Sequence, residues 1–192
     1  MNTIVKNMIS IFKEMGVEQE EEFFCRATDE QIEKFRELVG NNVEKVVEFY
    51  KNYQPAYTPE LPCYLKLIDI ESMIEENLYA APSMYLAKFG VITFGITAGG
   101  NVLCIDTNKA KDGDAAVLIA DCGFCYYDDD IEDAIVAVIP DEVVDQFDLS
   151  APNVLDYRSI ELCLAKVNDS FIDFLKKVSE GYYEDIEDYL ID

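Results

Sequence analysis

Three short apolar segments between residues 84 and 120 constrain the fold more than any other part of the chain. They centre on residues 92–94, 102–105 and 117–119. Each is rich in β-branched or aromatic residues and is bounded by glycine or aspartate, a pattern typical of strands joined by tight turns. The sequence therefore predicts an antiparallel meander. Because the segments do not alternate cleanly between apolar and polar residues, we expect both faces of the sheet to be covered, at least in part.

Amphipathic helices are predicted on both sides of this meander. They are expected over residues 2–15, 29–39, 43–54, 70–81 and 171–180. Thr28 and Gln31 have the spacing of a capping box, and Asp69 and the pair Asp169-Ser170 are suitable N-caps. A short strand is expected over residues 65–68, residues 135–139 form another apolar run ended by proline, and residues 160–165 alternate in the manner of a half-buried strand. The acidic tail, 182–192, carries enough apolar residues for one short helix.

The length and composition predict one domain. A chain of 192 residues is long enough to bury a sizeable core, and 50% of its residues are hydrophobic. We find no internal repeat, no secretory signal and no apolar stretch of the roughly 18 residues that a spanning helix needs. Six irregularly spaced cysteines favour a reduced, cytoplasmic protein over a disulfide framework.

The charge of the chain restricts its partners. It carries 39 acidic and 15 basic residues, a net charge of −24. Such a surface repels nucleic acid and anionic membranes and favours a basic protein partner. Acidity that only maintains solubility is the alternative, because net charge alone does not define a partner.

Histidine and tryptophan are both absent from the sequence. The absence of histidine excludes Ser–His and Cys–His nucleophile pairs and removes the commonest general base and metal ligand. A carboxylate- or metal-dependent enzyme remains the disfavoured alternative, and no catalytic residue or cofactor is predicted.

Two local motifs invite a metal or redox hypothesis. Cys122 and Cys125 have C-x-x-C spacing, but they follow a predicted strand rather than open a helix, and no second cysteine pair or histidine completes a zinc site. The acids of 128–133 lack the glycine and closing glutamate of an EF-hand loop. We therefore interpret the cysteines as part of a turn, and the acids as either a solvated edge or a docking patch for a basic partner.

Most tyrosines at such positions simply cover the core. A rigid aromatic anchor next to a steering field is nevertheless typical of protein-binding surfaces, so the tyrosines beside these acids are candidates for docking. Asp106 and Asp121 are expected near the same sheet edge. The predicted protein-binding residues are Asp106, Asp121, Tyr126, Tyr127, Asp128, Asp129, Asp130, Glu132 and Asp133.

The order of the segments resembles a known family. The helix that opens at Thr28 is followed by Val47–Tyr53 and by Leu67–Met73, and these precede the pairs Phe89-Gly90 and Phe94-Gly95. The best-matched pieces are Gly99-Gly-Asn-Val-Leu-Cys-Ile-Asp106 and Asn168-Asp-Ser-Phe-Ile-Asp-Phe-Leu175. Over residues 28–178 the chain is similar to the SUKH (Smi–Knr type) superfamily. It departs from the family at Asn42-Val43 and Asn52–Pro55, and its 121–158 stretch is longer.

This resemblance implies an α+β fold with a mixed, mostly antiparallel sheet flanked by helices, and no enzymatic activity. It also implies a single domain over residues 1–192, with its core at 28–178. Many bacterial members of the superfamily are immunity proteins that bind a cognate polymorphic toxin, often a nuclease. The leading hypothesis is therefore a cytoplasmic immunity protein for a basic toxin, with no nucleic acid or membrane partner. A regulatory scaffold for an endogenous protein is the alternative that the eukaryotic members imply.

Overall fold

The computed structural model describes residues 1–17, 22–131, 134–147 and 153–191. Helices and strands alternate irregularly along these ranges. The helices are α1 (Asn2–Glu14), α2 (Asp29–Val39), α3 (Glu44–Tyr53), α4 (Ile70–Tyr79), α5 (Ser83–Leu86), α6 (Asp141–Phe147), α7 (Tyr157–Cys163) and α8 (Phe171–Ser179). The strands are β1 (Phe24–Cys25), β2 (Gln54–Pro55), β3 (Leu65–Leu67), β4 (Val91–Thr97), β5 (Val102–Lys111), β6 (Asp114–Ala120), β7 (Cys125–Asp128), β8 (Ala134–Ala137) and β9 (Ala165–Asn168).

The predicted meander forms the centre of the main sheet. Within the described ranges this sheet has five strands in the order β3-β4-β5-β6-β9, and every pair in it is antiparallel. Leu103 of β5 lies opposite Gly95 on one side and Ile119 on the other. Glycines in the left-handed region at Gly100 and Gly113 allow the two tight turns between the strands. The α+β class and the meander are therefore confirmed.

Both faces of the sheet are buried, as the apolar runs predict. Successive side chains of a strand point to opposite faces. Leu103 and Ile105 accordingly join a core with α1, α2, α3, α4 and α8, whereas Val102 and Cys104 join a second core. This second core lies under α5, α6, α7 and the β7–β8 hairpin. The sheet is thus the middle of three layers.

The helix starts confirm the predicted caps. Thr28 Oγ1 accepts a hydrogen bond from the Gln31 amide at 3.2 Å, and Gln31 Oε1 accepts one from the Thr28 amide at 2.9 Å. Asp69 caps α4 by accepting from the Ser72 amide at 3.0 Å. Ser170 caps α8 by accepting from the Asp173 amide at 3.0 Å. These side chains satisfy amides that the first helical turn leaves without partners.

The strand predicted over residues 160–165 is wrong. Most of this segment belongs to α7, and only its end enters β9. A capping box starts the helix: Asp156 Oδ1 accepts from the Ser159 amide at 2.7 Å, and Ser159 Oγ accepts from the Asp156 amide at 3.1 Å. Ile160 and Cys163 then lie one turn apart on the buried face, so the apolar spacing fits a helix as well as a strand.

The tail after α8 crosses one end of the main sheet, and we call residues 182–191 the C-terminal strap. It contains a 3₁₀ turn over Glu187–Tyr189 in place of the predicted short helix. Tyr183 packs on Phe174 with ring centroids 5.4 Å apart, and the Ile186 amide donates to the Cys63 carbonyl at 3.3 Å. The strap is therefore attached both to α8 in the helical layer and to the segment just before β3 at the edge of the sheet. Across the described ranges, we find no helix with the length and apolar character that a membrane span requires.

Candidate protein-docking surface

The candidate surface is centred on the β7–β8 hairpin, which follows the meander and forms its own two-stranded sheet. Tyr126 pairs with Val136, and Asp128 pairs with Ala134. The turn at the tip begins with Asp128, whose Oδ1 accepts a hydrogen bond from the Asp130 amide at 2.9 Å. Asp129 and Asp130 are exposed and Asp128 is half-buried. The structure thus brings three of the predicted acids together at one tip, while Glu132 and Asp133 lie outside the described residues.

The two predicted tyrosines precede this tip. Tyr126 is 49% exposed and Tyr127 is 48% exposed. Neighbouring residues of a strand point to opposite faces, so the two rings flank the hairpin on both sides. Half-exposed tyrosines offer apolar area and a hydroxyl group at low entropic cost to a partner.

The base and one edge of the hairpin are firmly attached to the body of the protein. Cys125 and Ala137 are buried in the second core. The Ala137 amide donates to the Asn153 carbonyl at 2.8 Å, and the Leu155 amide donates to the Ile135 carbonyl at 2.7 Å. The tip acids are therefore carried by a supported element, which limits the entropy lost when a partner binds.

Asp121 lies at the other end of the hairpin, in the turn between β6 and β7. It is exposed, and its Oδ1 accepts a hydrogen bond from the Gly123 amide at 2.7 Å. The structure therefore separates Asp121 from the tip and places it in the turn that leads into the hairpin.

Asp106 occupies a different position from the other predicted residues. It is only 3% exposed and pairs with Ala116, away from Asp121. Its Oδ2 accepts from the Tyr157 hydroxyl at 2.6 Å, and its Oδ1 accepts from the Asn108 amide at 3.0 Å. These bonds attach α7 to the sheet, so the Asp106 carboxylate is satisfied inside the protein rather than presented to a partner.

Replacing Tyr157 with phenylalanine is expected to lower the free energy of unfolding by about 1–2 kcal/mol, because Asp106 then loses a donor in a buried place. Burial, followed by the bond to Asp106, raises the pKa of Tyr157 above its ordinary value. The protonated phenol therefore stabilises the folded state fully below about pH 10, and this contribution is lost as the pH rises above that value. Urea unfolding of both proteins from pH 7 to pH 11 measures the difference.

The matched control for this change is Tyr126→Phe, which removes the hydroxyl of a tyrosine that is 49% exposed. We expect it to alter stability by less than about 0.5 kcal/mol. An equal loss in both variants, or a gap between Tyr157→Phe and the wild type that does not narrow above pH 10, would contradict the role assigned to the Asp106 bond.

The C-x-x-C cysteines differ in their surroundings. Cys122 is exposed, whereas Cys125 is buried, and neither forms a disulfide. Burial raises the pKa of Cys125 to about 12, so its thiol stays protonated near neutral pH and is a poor nucleophile. Among the described residues, no group of three or more Cys, Asp or Glu side chains is arranged to hold a metal ion.

One functional arrangement was not predicted from the sequence, namely the attachment of the C-terminal strap beside the hairpin. The Glu187 carboxylate accepts hydrogen bonds from the Thr97 hydroxyl, from the Gly99 amide at 3.1 Å and from Asn101 Nδ2 at 2.8 Å. The bond from Thr97, and then those from Asn101 and Gly99, lower the pKa of Glu187 despite its partial burial. Asn101 Oδ1 in turn accepts from the Cys122 amide at 3.0 Å. The only sequence signal was the Gly-Gly-Asn turn itself.

These features define an α+β protein whose antiparallel sheet is covered on both faces and whose side presents an acidic, tyrosine-bearing hairpin. The sequence model of the SMI1/KNR4 family (SUKH-1) matches residues 26–148, which is more than half of the chain. The chain therefore belongs to the SMI1/KNR4 family. The match includes the meander and the hairpin and ends before α7, short of the 178 expected from the resemblance. A search of curated proteins found no match to the chain.

The family gives a broad functional class. It includes immunity proteins, and its members are generally non-catalytic immunity or regulatory proteins that act through protein partners.

Proposed function

We propose that this protein is a cytoplasmic bacterial immunity protein that binds and neutralises a basic toxin domain of the nuclease kind through the tip of the β7–β8 hairpin. The observation that carries the proposal is the cluster of the exposed Asp129 and Asp130 with the half-buried Asp128, beside two half-exposed tyrosines on a supported hairpin. Membership in a family that includes immunity proteins supplies the class of function.

The charge of the chain supports a basic partner. A net charge of −24 produces a negative field that attracts a basic protein over a distance of several ångströms, and this attraction raises the association rate. Nucleases bind a polyanionic substrate and therefore carry clefts lined with lysine and arginine. Carboxylates at the hairpin tip are suited to the positions that phosphates occupy in such a cleft, and the tyrosines are suited to its apolar edges.

Reversal of the tip charges tests this proposal. The variant Asp128→Lys/Asp129→Lys/Asp130→Lys is expected to weaken binding to the toxin domain about tenfold to hundredfold at low salt, because three attractive contacts become repulsive. The loss is expected to shrink as the salt concentration rises. Titration calorimetry measures the affinity, and a nuclease assay of the toxin measures neutralisation. Any basic protein encoded by a gene that neighbours the gene for this chain is the toxin candidate to use in these assays.

The matched control is Glu33→Lys/Glu37→Lys/Glu48→Lys. These exposed acids lie on α2 and α3, in the helical layer across the sheet from the hairpin, and the change in net charge is the same. We expect the control to keep wild-type neutralisation and lose only the modest rate gain that long-range attraction provides. Equal losses of affinity in the two variants would mean that only the net charge matters for binding and that the hairpin is not part of the interface. A tight partner that is not a toxin would favour the regulatory alternative.

A further inference from the structure

A surface groove lies at the base of the hairpin, between the hairpin and the C-terminal strap. It has a volume of about 340 Å³. Phe124 and Val138 line it on the hairpin side, Leu190 and Ile191 on the strap side, and Leu164 between them. Val138 is 52% exposed and Ile191 is 43% exposed, so the apolar walls are open to solvent.

The charged group on this groove is Asp121. Its Oδ1 is held by the Gly123 amide at 2.7 Å, while its Oδ2 accepts no hydrogen bond from the described residues. None of the described residues that line the groove is basic. The groove therefore combines apolar walls with one oriented carboxylate that still has acceptor capacity.

We propose that this groove receives an arginine side chain of the bound toxin, an inference that rests on the proposed function. An arginine side chain has an apolar stem and a planar, permanently charged end. The stem fits between Phe124 and Ile191, and the guanidinium group donates to Asp121 at the rim. Arginine is favoured over lysine because its forked donors match both oxygens of a carboxylate, and because it sheds water more readily.

The two walls of the groove are attached to the same residue. Asn101 Nδ2 donates to Glu187 of the strap, and Asn101 Oδ1 accepts from the Cys122 amide at the hairpin base. A Cβ atom at Gly99 would overlap the Glu187 carboxylate, so a side chain there would displace the carboxylate from its donors. Asn101 therefore fixes the spacing of the walls before a partner arrives, which lowers the entropic cost of filling the groove.

A titration of the full chain with N-acetyl-arginine methylamide, followed by ¹H–¹⁵N NMR, tests the groove directly. We expect saturable shifts of the Gly123, Phe124 and Ile191 amides. The neutral isostere N-acetyl-citrulline methylamide is expected to shift them little. Asp121→Asn is expected to lower the affinity for the arginine probe about fivefold to tenfold, which is the effect of losing one partly exposed charge-assisted hydrogen bond. Asparagine can still accept from the Gly123 amide, so the turn is retained.

The matched control is Asp112→Asn, an exposed acid in the turn between β5 and β6 at the opposite end of the sheet. It is expected to leave the titration unchanged. Equal shifts with citrulline, or an unchanged affinity in Asp121→Asn, would overturn the assignment of the groove.

The same variants separate the two proposals. Suppose that Asp121→Asn binds the toxin as tightly as the wild type, while reversal of the tip charges abolishes binding. The proposal that the groove receives an arginine is then wrong, and the proposed function stands. If the arginine probe binds in the groove but no toxin is neutralised, the proposed function fails and the groove stands as an arginine site.

Discussion

Replacing Phe171 with alanine is expected to lower the free energy of unfolding by about 3–5 kcal/mol. Its ring is fully buried at the start of α8. It contacts Phe49 of α3 and Phe94 of β4 edge to face, with ring centroids 5.6 Å and 5.2 Å apart. A cavity at this place would separate the sheet from two helices at once, and a close-packed interior relaxes only partly to fill such a space.

Urea unfolding followed by far-ultraviolet circular dichroism measures this loss. Phe171→Leu keeps most of the volume and is expected to lower stability by less than half as much as alanine. Tyr79→Ala is the exposed control, since Tyr79 is 77% exposed at the end of α4, and a loss below about 0.5 kcal/mol is expected. A loss below about 1.5 kcal/mol for Phe171→Ala would show that the core collapses around the missing ring.

The features that were predicted correctly are those with local causes. The capping box of Thr28 and Gln31 and the cap at Ser170 depend on side chains three residues from the amides they bind. The meander depends on turns between adjacent strands, marked by Gly100 and Gly113. Burial of both sheet faces followed from the lack of a polar alternation. Such signals are contained in short windows, so the sequence is sufficient to detect them.

The features that were missed depend on contacts between distant segments. The bond between Tyr157 and Asp106 joins residues 51 positions apart, and the bond between Asn101 and Glu187 joins residues 86 apart. No spacing rule identifies such pairs. The helix α7 was missed for a different reason, because the alternating run after Ile160 has the spacing of a strand and the capping box at Asp156 lies before it.

In the candidate site, too, the features with local causes were predicted and those that depend on distant contacts were missed. The acids and tyrosines of the hairpin were predicted as one surface because they are consecutive in the sequence, and the structure places Tyr126 to Asp130 on one hairpin. Asp106 was assigned to the same surface only because its strand was expected to place it near the same sheet edge. Its burial is decided by α7, which packs on that face of the sheet. Exposure is therefore the property of a candidate residue that sequence patterns predict least well.

Replacing Asp114 with alanine is expected to lower the free energy of unfolding by about 3 kcal/mol, because the buried Phe171 amide and the half-buried Ser170 hydroxyl then lose their acceptor. Asp114 begins β6, is only 9% exposed and lies beside the start of α8. Its Oδ2 accepts from the Ser170 hydroxyl at 2.6 Å, and its Oδ1 accepts from the Phe171 amide at 3.0 Å. A carboxylate at a helix N-terminus also interacts favourably with the helix dipole.

A double-mutant cycle with Ser170→Ala shows whether the two side chains act as one cap. Ser170 Oγ donates to Asp114 and accepts from the Asp173 amide, so the first turn of α8 depends on both residues. We expect the double variant to lose at least about 0.5 kcal/mol less than the sum of the single losses, because either change already removes the shared bond. Asp114→Asn, which keeps the shape and an acceptor oxygen, is expected to lose about half as much as alanine. Strict additivity in urea unfolding would mean that the two residues stabilise α8 independently. Coupling would mean that the sheet itself caps the helix that carries Phe171, so that the position of the central core ring is set by a carboxylate at the start of a strand.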